Sequence, residues 1–322
     1  MGRAQLKGPK SSTAAARLGP GPWGMILALV LICAALSIAK PAFLTLPNLV
    51  NLIRQISVNG ILAVGVTCVL LTGGVDLSLG SLVALTGVIA ASFAHPRQYP
   101  PAVPVLMGVL AGAACGAVNG WVITRGRVAP FVATLGMMTA ARGLALVLSG
   151  GRPVSDLSTE FTWMGSSDVA GIPVPSLIFS CVALASYLFL NNLKLGRHIY
   201  AVGGNENAAR ASGINVNAVK MLAYITCASL AGLAGVVLAS RITTGQPNAG
   251  VGYELDAIAA AVIGGASLSG GVGGVGGTIL GALLMGVINN GLDLVNVSSY
   301  YQQIVKGAII VGAVWMDRSR ER

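Results

Sequence analysis

The sequence predicts an all-α integral membrane protein with about ten transmembrane helices. Hydrophobic residues make up 54% of the 322 residues and charged residues only 9%, whereas a soluble chain of this length needs far more charge on its surface. The chain also contains 44 glycines, and small residues let helix backbones approach closely in lipid. Polar residues separate apolar segments of roughly the 20 residues that cross the hydrocarbon core. The pattern favours a helical bundle over a barrel.

The order of these segments divides the chain into one transmembrane domain and two tails. Residues 1–22 are basic and rich in Gly and Pro, which predicts a disordered cytoplasmic tail, and no cleavage pattern of a signal peptide follows. Residues 40–55 contain Pro41 and Pro47 and predict an outer loop or an interfacial helix. The transmembrane domain covers residues 23–317, and residues 318–322 form a cytoplasmic C-terminal tail. The ten predicted spans are 23–39, 56–72, 79–94, 103–124, 130–149, 172–192, 219–239, 255–267, 274–294 and 300–316.

The distribution of Lys and Arg predicts the orientation of the spans. Short loops rich in Lys and Arg remain on the cytoplasmic side. With both termini inside, thirteen basic residues lie inside and five outside. Arg142 and Lys306 remain within spans, where they pair with carboxylates or extend to the interface. The inside residues are Arg3, Lys7, Lys10, Arg17, Arg125, Arg127, Lys194, Arg197, Arg210, Lys220, Arg318, Arg320 and Arg322, and the outside residues are Lys40, Arg54, Arg97, Arg152 and Arg241.

Charge and side-chain chemistry exclude several functional classes. The net charge of +10 comes from residues at the ends of apolar segments, so orientation in the membrane explains it and nucleic-acid binding is not expected. The five cysteines lie in separate apolar segments without C-x-x-C spacing, and the two histidines lie in separate loops. We therefore expect no metal, no disulfide and no cofactor bound by this chain.

Residues 193–220 form the longest polar interruption of the apolar pattern. Lys194, Arg197, Arg210 and Lys220 place it on the cytoplasmic side. Asn205 can cap a short helix over 206–212, and Gly213 is suited to end it. A two-turn helix is marginal alone in water, so its display between two spans favours contact with a partner. The alternative is a solvated loop.

A short sequence pattern, G-G-x-x-L-S-x-G, occurs at residues 73–80 and again at 264–271. Glycine-interrupted spans at corresponding places indicate a transport pathway, because the freed backbone groups must line a cavity or be covered by protein. The alternative is close helix packing. Asp76 is a candidate gate charge or a cap for the next helix, and Asn59, Asn119, Asn289 and Asn290 either face a solute or bond neighbouring helices. The pathway candidates are Asn59, Gly73, Gly74, Asp76, Ser78, Gly264, Gly265 and Ser269.

The chain lacks an obvious energy source for transport. It contains no G-x-x-x-x-G-K-[ST] phosphate loop, and neither G-x-S-x-G nor H-E-x-x-H is present, so an enzyme is not expected. The candidate carboxylates for ion coupling are Asp76, Glu254, Asp256 and Asp293, a small supply for a proton relay. Power is therefore expected to reach the spans from a partner that contacts residues 193–220. The alternative is a stand-alone, ion-coupled secondary transporter of a small polar solute.

Several stretches carry a resemblance to a known family. They are SVNGILAVG (57–65), TGGVDLSLGSLVALTG (72–87), LGRHIYAVGGNENAARASGINV (195–216), GYELDAIAAAVIGGASLSGG (252–271) and SSYYQQIVKGAIIV (298–311). The sequence resembles the permease subunits of bacterial ATP-binding-cassette (ABC) importers of monosaccharides, and the ribose permeases in particular.

The resemblance implies a ten-span fold of the type found in vitamin B12 importers, located in the bacterial inner membrane. It also implies a homodimer of this chain, surrounded by membrane lipid. Its other partners would be a cytoplasmic ABC ATPase that carries ATP and Mg, and a periplasmic sugar-binding protein.

The resemblance further implies that the segment between Leu195 and Val216 docks in a groove of the ATPase. Relatives often carry a basic residue in the turn after the second G-G, whereas residues 270–275 here read GGVGGV, which puts any contact of that turn with the ATPase in doubt. The implied coupling residues are Gly203, Gly204, Asn205, Glu206, Ala209, Arg210, Ser212 and Gly213.

Overall fold

A computed structural model describes residues 22–320 as an almost entirely helical chain. The predicted tail over 1–22 lies outside these residues except for its last position. A 3₁₀ turn covers Pro41–Leu44, and two short strands, β1 (Asp168–Val169) and β2 (Ile172–Pro173), pair antiparallel. The helices are α1 (Pro22–Ala39), α2 (Leu46–Leu70), α3 (Leu79–Ser92), α4 (Ala102–Thr124), α5 (Pro130–Ser149), α6 (Thr159–Ser166), α7 (Val174–Asn192), α8 (Lys194–Gly204), α9 (Glu206–Ala211), α10 (Val216–Arg241), α11 (Tyr253–Ile263), α12 (Val275–Leu294) and α13 (Ser299–Arg320).

The described residues contain six helices that are long and apolar enough to cross a membrane, namely α2, α4, α5, α7, α10 and α12. The apolar helices Trp23–Ala39 and α3 are shorter. The predicted all-α membrane class is therefore confirmed.

Helices α2 and α10 form the centre of the bundle. The most apolar window of α2 is 78% buried and that of α10 is 61% buried, compared with 17% for α5. Helix α4 lies very close to α10, since a Cβ at Gly116 would stand 2.5 Å from the carbonyl oxygen of Tyr224. At the periphery, large side chains such as Trp121 and Phe131 are exposed. Glycine thus permits the close backbone contact expected for helices packed in lipid.

The expected loop over residues 40–55 is shorter than predicted. Helix α2 begins at Leu46, not at Ile56, with Pro47 in its first turn. Proline is tolerated there because that position has no intrahelical partner for an N–H group. Arg54 lies in the additional N-terminal part of α2, residues 46–55. It donates to the carboxylate of Asp168 at 2.9 Å and to the carbonyl oxygen of Ser166 at 2.6 Å. The extension therefore packs against the connection between α6 and α7.

Helices α3 and α11 are each too short to cross the hydrocarbon core alone, and each adjoins one copy of the G-G pattern. Helix α11 ends at Ile263 rather than at Ser267 as predicted, and its 11 residues span about 16 Å of a core of about 30 Å. Helix α3 has 14 residues and begins at Leu79, within the first copy. Non-helical backbone at this depth is tolerated where protein covers it.

Candidate functional site

The polar segment after α7 forms two helices, of which one was predicted. Helix α9 is capped as expected, since the side-chain oxygen of Asn205 accepts from the N–H of Ala208 at 2.9 Å. Gly213 follows with a φ of 81° and ends the turn in the left-handed region. Helix α8 was missed, although Ile199 and Val202 have helical spacing and both are buried. That spacing is the signal that could have indicated it.

Glu206 forms one ion pair that ties α9 to α10 and a second ion pair within α9. Its carboxylate accepts from Lys220 Nζ at 2.7 Å and from Arg210 Nη2 at 3.0 Å. The hydrogen bond from Lys220, assisted by Arg210, holds the pKa of Glu206 below its usual range. Ala209 is buried on the inner face of α9, whereas Ser212 is exposed. The segment therefore presents a polar outer face on an anchored helix.

The backbone of α8 meets the two linkers that carry the copies of the G-G pattern, at a contact that we call the glycine junction, formed by Leu71, Gly73, Gly203, Gly270 and Gly271. A Cβ at Gly203 would overlap the carbonyl oxygen of Leu71 and the amide nitrogen of Gly271, and one at Gly270 would lie 2.8 Å from the amide nitrogen of Gly73. The N–H of Gly271 donates to the carbonyl oxygen of Leu71 at 3.0 Å. The first copy, the second copy and the end of α8 thus pack as three backbones without side chains between them.

A hydrogen bond reinforces the glycine junction. The phenol of Tyr200, on α8, donates to the carbonyl oxygen of Gly273 at 3.0 Å. Burial raises the pKa of Tyr200, so the phenol remains a protonated donor. A displacement of α8 would therefore act directly on the linker between α11 and α12.

Asp76 lies in the linker that enters α3 and is fully buried. One carboxylate oxygen accepts from the N–H of Ser78 at 2.9 Å and from its hydroxyl at 2.6 Å, while the second oxygen has no partner within residues 22–320. Asn119 of α4 donates to the Ser78 hydroxyl at 3.3 Å. Asp76 thus closes a local turn before α3, and it is Ser78, not Asp76, that occupies the cap position.

Of the remaining pathway candidates, Ser269 lies beside the glycine junction, whereas Gly74 and Gly264 pack elsewhere in the bundle. A Cβ at Gly73 would lie 3.4 Å from the carbonyl oxygen of Ser269, so Ser269 lies beside the junction. Gly74 packs on the phenol of Tyr224, and Gly264 packs on the backbone of Gly277 and Thr278. Gly265 follows with a φ of 94°.

Asn59 stands apart from this group. It lies on α2 at about 18 Å from Leu71 along the helix axis. The residue is half-buried, and its side-chain oxygen is buried without a partner in the described part of the chain. The amides of Asn119, Asn289 and Asn290 instead bond neighbouring elements.

Asp256 and Lys306 form an ion pair between α11 and α13, in which Asp256 is buried and Lys306 is partly exposed. Lys306 Nζ lies 2.7 Å from Asp256 Oδ2, and the amide of Asn289 donates to the same oxygen at 3.2 Å. The expected pairing of Lys306 with a carboxylate is therefore confirmed, whereas Arg142 donates to the carbonyl oxygens of Pro247 and Ala249, at 2.6 Å and 2.8 Å. No group of three or more His, Cys, Asp or Glu side chains within residues 22–320 could hold a metal.

The fold and the site define a class, that of helical multi-pass membrane proteins with an anchored polar helix pair at one end of the bundle. The chain belongs to the family described as the permease component of the branched-chain amino acid transport system, whose profile matches residues 48–314. It is therefore a transport subunit and not an enzyme.

Curated relatives are similar over most of both chains. The ribose import permease protein of Escherichia coli (strain K12) is 48% identical over 300 residues, 92% of this chain and 93% of the relative. The ribose import permease protein of Bacillus subtilis (strain 168) is 44% identical over 299 residues, 92% of each chain. The D-allose transport system permease protein of Escherichia coli (strain K12) is 38% identical over 297 residues, 92% of this chain and 91% of the relative. No solved structure matches the chain.

Proposed function

We propose that the chain is the membrane-spanning subunit of an ABC importer that translocates a monosaccharide, with ribose as the first candidate. The similarity to ribose import permeases carries this proposal, because it extends over 92% of the chain at 44–48% identity. Permeases named for D-allose and xylose are less similar, at 38% and 33–34%. A periplasmic binding protein would deliver the sugar, and ATP and Mg would bind to a separate ATPase.

We further propose ten crossings and a fold like that of vitamin B12 importers, assembled as a homodimer in the bacterial inner membrane with both termini cytoplasmic. The six long helices would be joined as crossings by α1, α3, α11 and α13. Contacts within the bundle support this arrangement. The α2–α3 and α11–α12 linkers meet α8 at one end, and Val154 pairs with Gly245 at the other.

The ATPase would dock on the exposed face of α9 and move α8 with it. Arg210 is 60% exposed at its side chain, so it is available to a partner, and the Glu206–Lys220 ion pair would transmit a force on α9 to α10. The glycine junction would then pass the movement of α8 to the linkers beside α3 and α12. Rigid-body displacement of packed helices is a common way to transmit a conformational change.

The pathway itself would need few polar groups, because the binding protein selects the sugar. Asn59 offers a side-chain oxygen without a partner among the described residues, which suits a hydroxyl donor. Asp76 and Ser78 would hold the linker that gates the inner end, together with the glycines of the two G-G copies.

Reconstitution in vesicles tests the transport proposal. The chain, the ATPase and the binding protein together should accumulate labelled ribose only when ATP is supplied on the cytoplasmic side. Glu206→Lys or Arg210→Glu should leave the protein in the membrane and uncouple ATP hydrolysis from uptake. Accumulation driven by an ion gradient, with this chain alone, would support the ion-coupled alternative instead. Normal uptake by either variant would contradict the docking role of α9.

A further inference from the structure

A polar cavity of about 710 Å³ opens between the α4–α5 turn and the helices α9 and α10. Its lining includes four basic side chains and one acidic side chain, those of Arg125, Arg127, Arg210, Lys220 and Glu206. The volume is within the range of about 300–1,000 Å³ that small-molecule sites occupy. The cavity is thus large enough for a ligand head group.

The charges around this cavity are unbalanced. Glu206 is already bonded to both Arg210 and Lys220, whereas the side chains of Arg125 and Arg127 form no hydrogen bond or ion pair within the described residues. Helix α5 begins at Pro130 in the cavity wall, and the N-terminal end of a helix adds positive potential. An anion would therefore be attracted between the two arginines.

Exposed apolar side chains beside the cavity are typical of the level of the lipid head groups. Trp121 lies one turn before Arg125 on α4 and is 60% exposed, and Phe131 and Val132, at the start of α5, are each 57% exposed. Tryptophan is enriched at the membrane–water interface. A molecule with its anionic group beside Arg125 would therefore also contact the apolar surface of α4 and α5.

We propose that the cavity binds the phosphate head group of an anionic phospholipid. Basic pockets between membrane helices on the cytoplasmic side suit such head groups. The phosphate would lie between Arg125 and Arg127, and the acyl chains would follow Trp121 and Phe131. The site would place a lipid directly beside α9, next to the Glu206–Lys220 ion pair that anchors it to α10.

Trp121 provides a local probe for this site. In a variant with Trp23, Trp163 and Trp315 replaced by Phe, Trp121 is the only tryptophan of the chain. Its fluorescence would be measured in phosphatidylcholine vesicles that contain a small fraction of brominated phosphatidylglycerol or brominated phosphatidylcholine. We expect stronger quenching by the brominated phosphatidylglycerol than by the brominated phosphatidylcholine. This preference for phosphatidylglycerol should fall about fivefold for each arginine removed, in Arg125→Ala and in Arg127→Ala, because a basic residue near the surface contributes about 1 kcal/mol.

Matched variants separate this site from general charge effects. Arg125→Lys with Arg127→Lys preserves the charge and should keep most of the preference, and Arg152→Ala, an exposed arginine in the α5–α6 connection, should keep all of it. Equal quenching by the two brominated lipids, or a preference unchanged in the double alanine variant, would overturn the proposal. Displacement by millimolar inorganic phosphate would indicate a free-anion site. Unchanged quenching with loss of ATPase binding in the double alanine variant would assign the cavity to a protein partner.

Discussion

Gly203 and Gly204 are neighbours in α8 with different surroundings, and they form a matched pair for mutation. A Cβ at Gly203 would overlap the backbones of Leu71 and Gly271, whereas a Cβ at Gly204 would meet nothing within 4 Å. Overpacking costs about 1–3 kcal/mol, so Gly203→Ala should displace α8 from the glycine junction. We expect ATP-driven uptake to fall about tenfold or more, measured in vesicles at equal protein.

Gly204→Ala is the control for this prediction. Alanine favours a helix more than glycine by up to about 1 kcal/mol, and a Cβ at Gly204 does not reach the glycine junction, so this variant should retain much more uptake than Gly203→Ala. Equal uptake in the two variants would contradict a role of the glycine junction in transmitting movement.

The Asp256–Lys306 pair makes a separate prediction about stability. The side chain of Asp256 is 3% exposed, so Lys306→Met leaves a buried carboxylate without its cation. Removing one partner of a buried ion pair costs about 3–5 kcal/mol. We expect a correspondingly lower free energy of unfolding in mild detergent, with partial recovery in the double variant Asp256→Leu, Lys306→Met. A single variant as stable as the original protein would show that the pair contributes little.

Helix α9 depends on the ionised form of Glu206, and this dependence predicts its response to pH. The pKa of Glu206 is held below its usual value of about 4.3 by Lys220 first and Arg210 second. The ion pairs are therefore present above the ordinary pKa and are lost as the pH falls through the lowered one. When the pH falls below the ordinary carboxyl pKa, a spin label at Ser212 should still be immobilised. It should become mobile only when the pH also falls below the lowered pKa of Glu206.

Lys220→Met removes the main cause of the lowered pKa. The transition in label mobility should then move to higher pH, toward the ordinary carboxyl value. Lys194→Met, at an exposed lysine outside the Glu206 ion pairs, should leave the transition where it was. An identical pH profile in the Lys220 variant would show that the Glu206 contact does not anchor α9.

Local signals predicted some elements, and long-range contacts decided the others. The start and end of α9 could be predicted because Asn205 and Gly213 act on the backbone next to them. The start of α2 was predicted at Ile56, ten residues too late. A proline in the first turn of a helix cannot be distinguished by sequence alone from a proline in a loop. Helix α8 owes its place to packing on Leu71 and Gly271, which are distant in sequence.

The two G-G copies show the same limit within the candidate site. Their repetition was visible in the sequence, and the structure has a non-helical linker at each copy. That Gly270 packs on Gly73, and that Gly203 closes the same contact, depends on the relative position of three linkers. The sequence also did not indicate which carboxylate pairs with Lys306. That the partner is Asp256 follows only from the three-dimensional packing of α11 and α13.

The ends of the whole bundle can be distinguished by their contacts, and this gives a test of its orientation in the membrane. Residues 71–78, 193–215 and 264–274 meet at one end, while Arg54 and Asp168 pair at the other. If the first end is cytoplasmic, a cysteine at exposed Ser212 should resist an impermeant thiol reagent in intact cells and react after permeabilisation. A cysteine at Ala170, in the turn between β1 and β2, should react in intact cells. Exposed Cys181 would first be replaced by Ser. The reverse labelling pattern would place α9 outside, where no cytoplasmic ATPase could reach it, and would refute the proposed coupling.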